Sequence, residues 1–281
     1  MFRRRFFRSS STFLATSILS LMPHSSVRAE EGNLMKKLRE SMMTRPNLNS
    51  ETQTGFTNPP RNPNERYPWR VAIVTTTFWV GERPTRRNPV PNFSSSWDKN
   101  WAENYGGSDD PDSGGRADYC PVGFIPQQNP FYFALPYNDV TKGQHKPEAA
   151  KVIPWFQQAY QGPGKTVLKD RWIAIRFKDR VAYAQWEDCG PFRTDHWQYV
   201  FGNDRPKPNL NRGAGLDVSP AVRDFLGMND SDVTDWKFVE FSEVPHGPWA
   251  LHGENNNFVI NERSHQSRVV ELQTKPSGTG Q

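Results

Sequence analysis

The stretch "DRWIAIRFKDRVAYAQWEDCGPF", Asp170 to Phe192, decides how this chain is read. Trp172 to Phe177 is a run of aromatic and β-branched residues that suits a pleated, half-buried surface. Lys178-Asp179-Arg180 is polar enough to turn the chain, and Val181 to Glu187 returns. The two runs predict a hairpin. Period-two alternation puts Ala182, Ala184, Trp186 and Asp188 on one side and Tyr183, Gln185 and Glu187 on the other. Asp188 is therefore expected to share a side with Trp186, and Glu187 to face the opposite way.

Working outward, Trp69 to Val80 reads as a β-rich strand. Gly81 to Gln128 has the Gly, Asp and Ser content of a long loop with no regular element. A short strand follows around Phe131 to Leu135, then a helical stretch from Pro147 to Gln161 that Pro154 interrupts. Beyond the hairpin, "GLDVSPAVRDFLG" is a strand end running into a helix. Ser219 stands at the N-cap, Pro220 at the first helical position and Gly227 at the stop. Trp236 to Phe241 closes the set of strands. There is no internal repeat and no heptad pattern. The pattern implies a mainly β fold, a small barrel with one or two short helices and long loops.

Four domains of sequence follow. Residues 1–29 read as a signal peptide, with Arg3, Arg4, Arg5 and Arg8 ahead of the apolar run Phe13 to Met22 and Val27-Arg28-Ala29 at the cleavage position. Arg3-Arg4 with Phe6-Phe7 also fits a twin-arginine signal, and both export routes stay open. The run is short of the roughly 20 residues that span a bilayer, so no stable membrane span is expected after cleavage. Residues 30–66 read as a disordered linker, apart from a short amphipathic turn or two in Leu34 to Met43. Residues 67–242 are the barrel domain, and 243–281 a polar C-terminal tail with little to fix it.

Charge excludes one class of partner. Five of the 35 Lys and Arg residues, and none of the 30 acids, fall in residues 1–29. The rest of the chain is balanced, so the basic pI belongs to the leader and gives no ground for nucleic acid. Aromatic content is high at 13%, with ten Trp, so several exposed rings are expected. Cys120 and Cys189 are the only cysteines. In an exported protein they read as one disulfide, closing a loop of about 70 residues for about 4 kcal/mol. The rival reading makes Cys189 a thiol nucleophile near His196.

Several motifs carry nothing. "GPGKT" (Gly162 to Thr166) lacks the earlier glycine of a phosphate loop, with Ala159 in its place. His246 and His252 have no third ligand at a supporting spacing, so no metal and no cofactor is expected. Asp109 and Asp110 read as a solvated loop or a calcium site. No Gly-x-Ser-x-Gly elbow occurs.

Asp188 and Asp217 remain, each where a strand gives way to a turn. Each either caps a nearby turn or helix through backbone N–H groups, or does chemistry. A carboxyl beside Trp186 and Phe192 is partly desolvated, and a raised pKa is what a general acid needs.

"WEDCGPF" and "GLDVSPAVRDFLG" together resemble the paired signature of double-psi β-barrels of the rare lipoprotein A type. There an Asn-Asp-Arg-Gly-Pro-Phe strand end precedes Ile-Asp-Leu-Ser and a short helix ending Leu-Gly. "WKFVEF" fits the closing strand and "FALPYND" the Thr-Leu-Pro segment. The resemblance covers about residues 68 to 242. It implies a six-stranded double-psi β-barrel, export to the periplasm or cell exterior, and action on peptidoglycan or another polysaccharide. Some members are lytic transglycosylases, and related barrels occur in expansins and small cellulases. Asp188 matches the family's catalytic acid and Asp217 its second motif aspartate.

Departures accompany the match. Glu187 and Cys189 replace the family's Asn and Arg, and Tyr132 is nearest to the missing groove histidine. The earlier acid pair has no counterpart beyond Asp109 and Asp110. The insertion Arg193 to Arg212 carries Trp197. Cys189 is expected to tie the groove to the Tyr119-Cys120 loop. The implied function is lytic-transglycosylase-like cleavage with Asp188 as general acid/base, and Asp217 or Asp110 as a second carboxylate. Trp186, Tyr132, Tyr105, Asp110 and Trp197 are the expected substrate contacts, Trp101 a further stacking ring. The alternatives are a non-catalytic, expansin-like glycan-binding module and a structural envelope protein.

Overall fold

A computed structural model describes residues 66–85 and 88–274, with side chains to residue 268. The expected signal peptide and nearly all of the expected linker lie outside the described residues. Six strands close a barrel: β1 (Arg70–Thr77), β2 (Tyr132–Leu135), β3 (Trp172–Phe177), β4 (Arg180–Cys189), β5 (Leu216–Val218) and β6 (Ser231–Val239). Around the ring they run β1-β6-β3-β4-β2-β5 and back to β1. β1 with β5 and β2 with β4 are parallel, and the other pairs antiparallel. The expected mainly β, six-stranded barrel is therefore present. Among the described residues there are six α-helices, most of them a single turn, where one or two were expected: α1 (Trp101–Tyr105), α2 (Ala149–Val152), α3 (Phe156–Ala159), α4 (Trp197–Val200), α5 (Pro220–Leu226) and α6 (Asn257–Thr274).

The barrel interior is aromatic. Trp186 has no exposed surface and stacks near-parallel to Phe133 and Phe238, with Phe201 beside them. Ile73, Leu135, Ile173, Ile175 and Leu216 complete the filling. Truncating such a ring to Ala costs about 3–5 kcal/mol. α5 is built as its sequence requires. Ser219 Oγ accepts from Val222 N–H, Pro220 starts the helix, and Gly227 ends it at φ 69°.

Two expectations are corrected outside the barrel. The Gly81–Gln128 stretch is not irregular throughout. It holds α1, whose Trp101 and Tyr105 are buried against Phe78 and Tyr132 in a second apolar cluster. It also holds a two-residue ladder, Arg116–Ala117 with Cys120–Pro121. The segment from Glu243 to Phe258 is not loose. Trp249 is buried against Phe131, Tyr183 and Phe225, and Asn256 is fully buried with its amide on Trp249 O and His252 O. Asn256 is satisfied by the segment's own backbone and Asn255 by Glu187 of β4, a pattern with no apolar period to announce it.

Candidate active site

Strand pairing sets the site out in one row. Ala134 of β2 pairs with Asp188 of β4 on one side and Asp217 of β5 on the other, and Asp217 pairs in turn with Thr76 of β1. Paired residues share a face, so Asp188, Ala134, Asp217 and Thr76 lie side by side over four strands. All four line one cleft with about 60 Å3 of room. Phe78, Asn88, Val90, Asn92, Phe192 and Asn211 supply its walls. Ala134 is the floor, and a bulkier side chain there would occupy the space. At the rim, a Cβ on Gly190 would come within 3.3 Å of Asp217 Oδ2.

A bulge decides which way Asp188 faces. Phe133 pairs with Trp186, yet the next residue, Ala134, pairs with Asp188. Glu187 is the extra residue, so the alternation slips by one across it. Trp186 stays with Phe133 in the barrel core. Asp188 joins Ala134 on the outer face, and Glu187 faces outward as well. This corrects the expectation that Asp188 and Trp186 share a side. Trp186 has no ring face left for a sugar, and its indole N–H donates to Asp188 O.

Asp188 Oδ1 accepts two backbone N–H groups at 2.7 Å, from Ser96 and from Cys189. It therefore does cap a loop, the Ser96 loop, as its turn-capping reading required. Asp217 does not cap α5, a task Ser219 performs. Its Oδ1 accepts instead from Thr76 Oγ1. Burial pushes Asp217 up to about 7, against the Thr76 hydrogen bond, and the charges of Glu82 and Asp188 add to the rise. Its side chain stays partly open to the cleft while protein surrounds the rest.

Glu82 was not singled out from the sequence. It is 5% exposed, its Oε2 accepts from Asn92 Nδ2 at 2.8 Å, and burial raises it to about 7. Asn92 lines the cleft, so Glu82 stands directly behind it. The only signal in the sequence is one acid at the end of the first strand run.

The remaining expected contacts lie elsewhere. Tyr132 and Tyr105 are fully buried and pack ring to ring; the Tyr132 hydroxyl donates to Asp109 Oδ2 and accepts from Val80 N–H. They are structural, because their polar ends turn toward the Asp109–Arg116 ion pair. Trp101 is likewise buried. Asp110 Oδ1 accepts from Asp112 N–H within its own turn. Trp197 begins α4, half-buried against the core. None of these lines the cleft.

The expected disulfide is corrected too. Cys120 and Cys189 are both buried and not bonded to each other. Cys120 sits in the Arg116–Pro121 ladder, whereas Cys189 pairs with Leu135 and donates its thiol to Tyr137 O at 3.1 Å. The Cys-His alternative fails as well, since both ring nitrogens of His196 lack a hydrogen-bond partner. Among the described residues no cluster of three His, Cys, Asp or Glu is placed to hold a metal, and no helix is long and apolar enough to cross a membrane.

No protein-family model, curated protein or solved structure matches this chain. The class the fold and site define is thus a closed, mixed six-stranded barrel with a two-aspartate cleft on its outer face.

Proposed function

We propose that this protein is an exported envelope enzyme that cleaves cell-wall glycan at the Asp188–Asp217 cleft, in the manner of a double-psi barrel of the rare lipoprotein A type. The observation that carries the reading is the flanking of Ala134 by two carboxyls in different environments. Such a split is how paired carboxyls divide acid and base roles. Asp217, held up to about 7 by burial, keeps its proton near neutrality and gives it to the glycosidic oxygen. Asp188, whose Oδ1 already takes two N–H donors, is the acceptor: it faces the positive charge that develops on the sugar ring. Asp188 was expected to be the acid, and this reading moves that part to Asp217. In a lytic transglycosylase the sugar's own hydroxyl attacks the anomeric carbon as the bond to the leaving oxygen breaks, and its proton returns to Asp217, left as a carboxylate by the first transfer, so no enclosed water is needed in so small a cleft.

A non-catalytic binding module has less support. Its stacking rings would be Trp101, Tyr105, Tyr132 and Trp197; the first three are buried, and Trp197 is half-buried and does not line the cleft. The test is mass spectrometry of purified peptidoglycan incubated with the protein, beside Asp188→Asn and Asp217→Asn. Anhydro-sugar products from the wild type, and a loss of about 100-fold or more in each variant, are expected. Equal products from all three, or none from any, would overturn the reading.

A further inference from the structure

The bulge that turns Asp188 outward is held from outside the barrel. Glu187 is 1% exposed. Its Oε1 accepts from Asn255 Nδ2 at 2.8 Å, and its Oε2 lies 3.4 Å from Lys169 Nζ. Asn255 belongs to the segment between Trp249 and α6. Its Oδ1 accepts from Asn129 N–H at 2.8 Å, three residues before β2. Its carbonyl accepts from Gln185 Nε2 at 3.1 Å, on β4 just before the bulge. Asn129 Nδ2 in turn donates to Gln185 Oε1 at 2.6 Å. One asparagine therefore ties together the two strands whose pairing sets Asp188 beside Ala134.

The segment cannot drift from that position. Gly253 has φ 103°, and a Cβ there would come within 2.3 Å of Asn129 N. Glu254 N–H donates to Gln127 O, and Asn257 Oδ1 accepts from Trp172 Nε1 at 2.7 Å on β3. A buried carboxylate without its donor carries a full desolvation cost. Burial first, and then the neighbouring Asp170 carboxyl, push Glu187 well above the ordinary carboxylate range, Lys169 opposes that rise, and Asn255 Nδ2 is the donor on Oε1.

We propose that the 249–257 segment is a strap that positions Asp188, with Asn255 and Glu187 as the positioning pair. Neither residue lines the cleft. They act through the bulge, by fixing the strand register that aims the Asp188 carboxyl and brings Cys189 N–H and Ser96 N–H onto it. The structural claim stands on geometry, and the catalytic consequence rests on the function proposed above.

The test compares Asn255→Ala with Asn257→Ala, which loosens the same strap without touching Glu187, and with Asn255→Asp alone and combined with Glu187→Gln. Amide hydrogen exchange at Ser96 and Cys189 is read against Trp236 and Phe238 of β6, which lies across the ring from β2. Exchange at Ser96 and Cys189 should rise about tenfold in Asn255→Ala with the far wall unchanged. For Asn257→Ala it should stay near wild type. kcat on glycan should fall about tenfold with KM little changed, as expected of lost positioning. Asn255→Asp should behave like Asn255→Ala, and adding Glu187→Gln, which reverses the hydrogen bond, should restore both readouts. Unchanged exchange at Ser96 and Cys189, or a rise shared equally by the far wall, would overturn the strap. If the wild type cleaves no glycan, the exchange pattern alone decides, so failure of the function and failure of the strap are told apart.

Discussion

Asp188 and Asp217 flank the same residue, Ala134, from opposite sides of β2. Two strand spacings of about 4.8 Å put their Cα atoms about 10 Å apart, with both side chains on one face. They are separated by a long insertion in sequence, and only the barrel brings them to one cleft.

The raised carboxyls make stability fall with rising pH. Asp217 and Glu82 titrate near 7 when folded, against the ordinary carboxylate range when unfolded. Between about 4 and 7 the folded protein therefore holds more protons than the unfolded chain, so unfolding free energy drops as pH climbs through that window. Asp217→Asn and Glu82→Gln should each flatten this slope and raise the thermal midpoint at pH 8. Denaturation curves from pH 4 to 8 check it; parallel curves for wild type and variants would count against it.

Ala134→Leu fills the floor of the cleft. Ala134 is 1% exposed and packs beside Tyr132, so overpacking costs about 1–3 kcal/mol. Glycan cleavage should vanish while the barrel's circular dichroism is retained. Retained turnover would mean that the substrate does not enter between the two aspartates.

The thiols should behave as buried and separate. Burial raises the Cys120 thiol to about 11, above its ordinary range. Ellman titration is expected to find two thiols per chain after unfolding and almost none before. A reductant should leave the thermal midpoint unchanged, whereas loss of a disulfide closing so long a loop would cost about 4 kcal/mol.

The His196 ring is buried with no hydrogen-bond partner on either nitrogen, and burial first, with Lys207 and Arg193 next, lowers it to about 4. The unfolded histidine binds a proton near 6.5, so between about 6.5 and 4 the unfolded chain holds the extra proton. Stability should then fall as pH drops through that range. His196→Phe should remove this part of the acid sensitivity, measured by urea midpoints at pH 7 and pH 4.5; equal sensitivity would assign it to other groups.

Local signals in the sequence were strong where local physics decides. The β3–β4 hairpin, the split helix around Pro154 and the capped helix from Ser219 to Gly227 were all legible, because side-chain period, proline and cap chemistry act over a few residues. Both cleft aspartates were also legible, each from its place at a strand end. Glu82 was not, since a lone acid before a Pro-rich loop has no pattern.

The facing of Asp188 was beyond the sequence for a definite reason. Alternation predicts a face only while the strand pairs one residue to one, and a single extra residue reverses every face after it. That residue, Glu187, is accommodated because Asn255, almost 70 positions later, bonds it. Likewise Trp101, Tyr105, Tyr132 and Trp186, expected to meet sugar, are buried, since an aromatic side chain reads the same in sequence whether it faces core or solvent. Composition and local pattern determined that this chain forms a β barrel bearing two aspartates at strand ends. Tertiary packing alone decided which of its side chains reach the cleft, because burial, register and hydrogen-bond partners are set by contacts between segments distant in the chain.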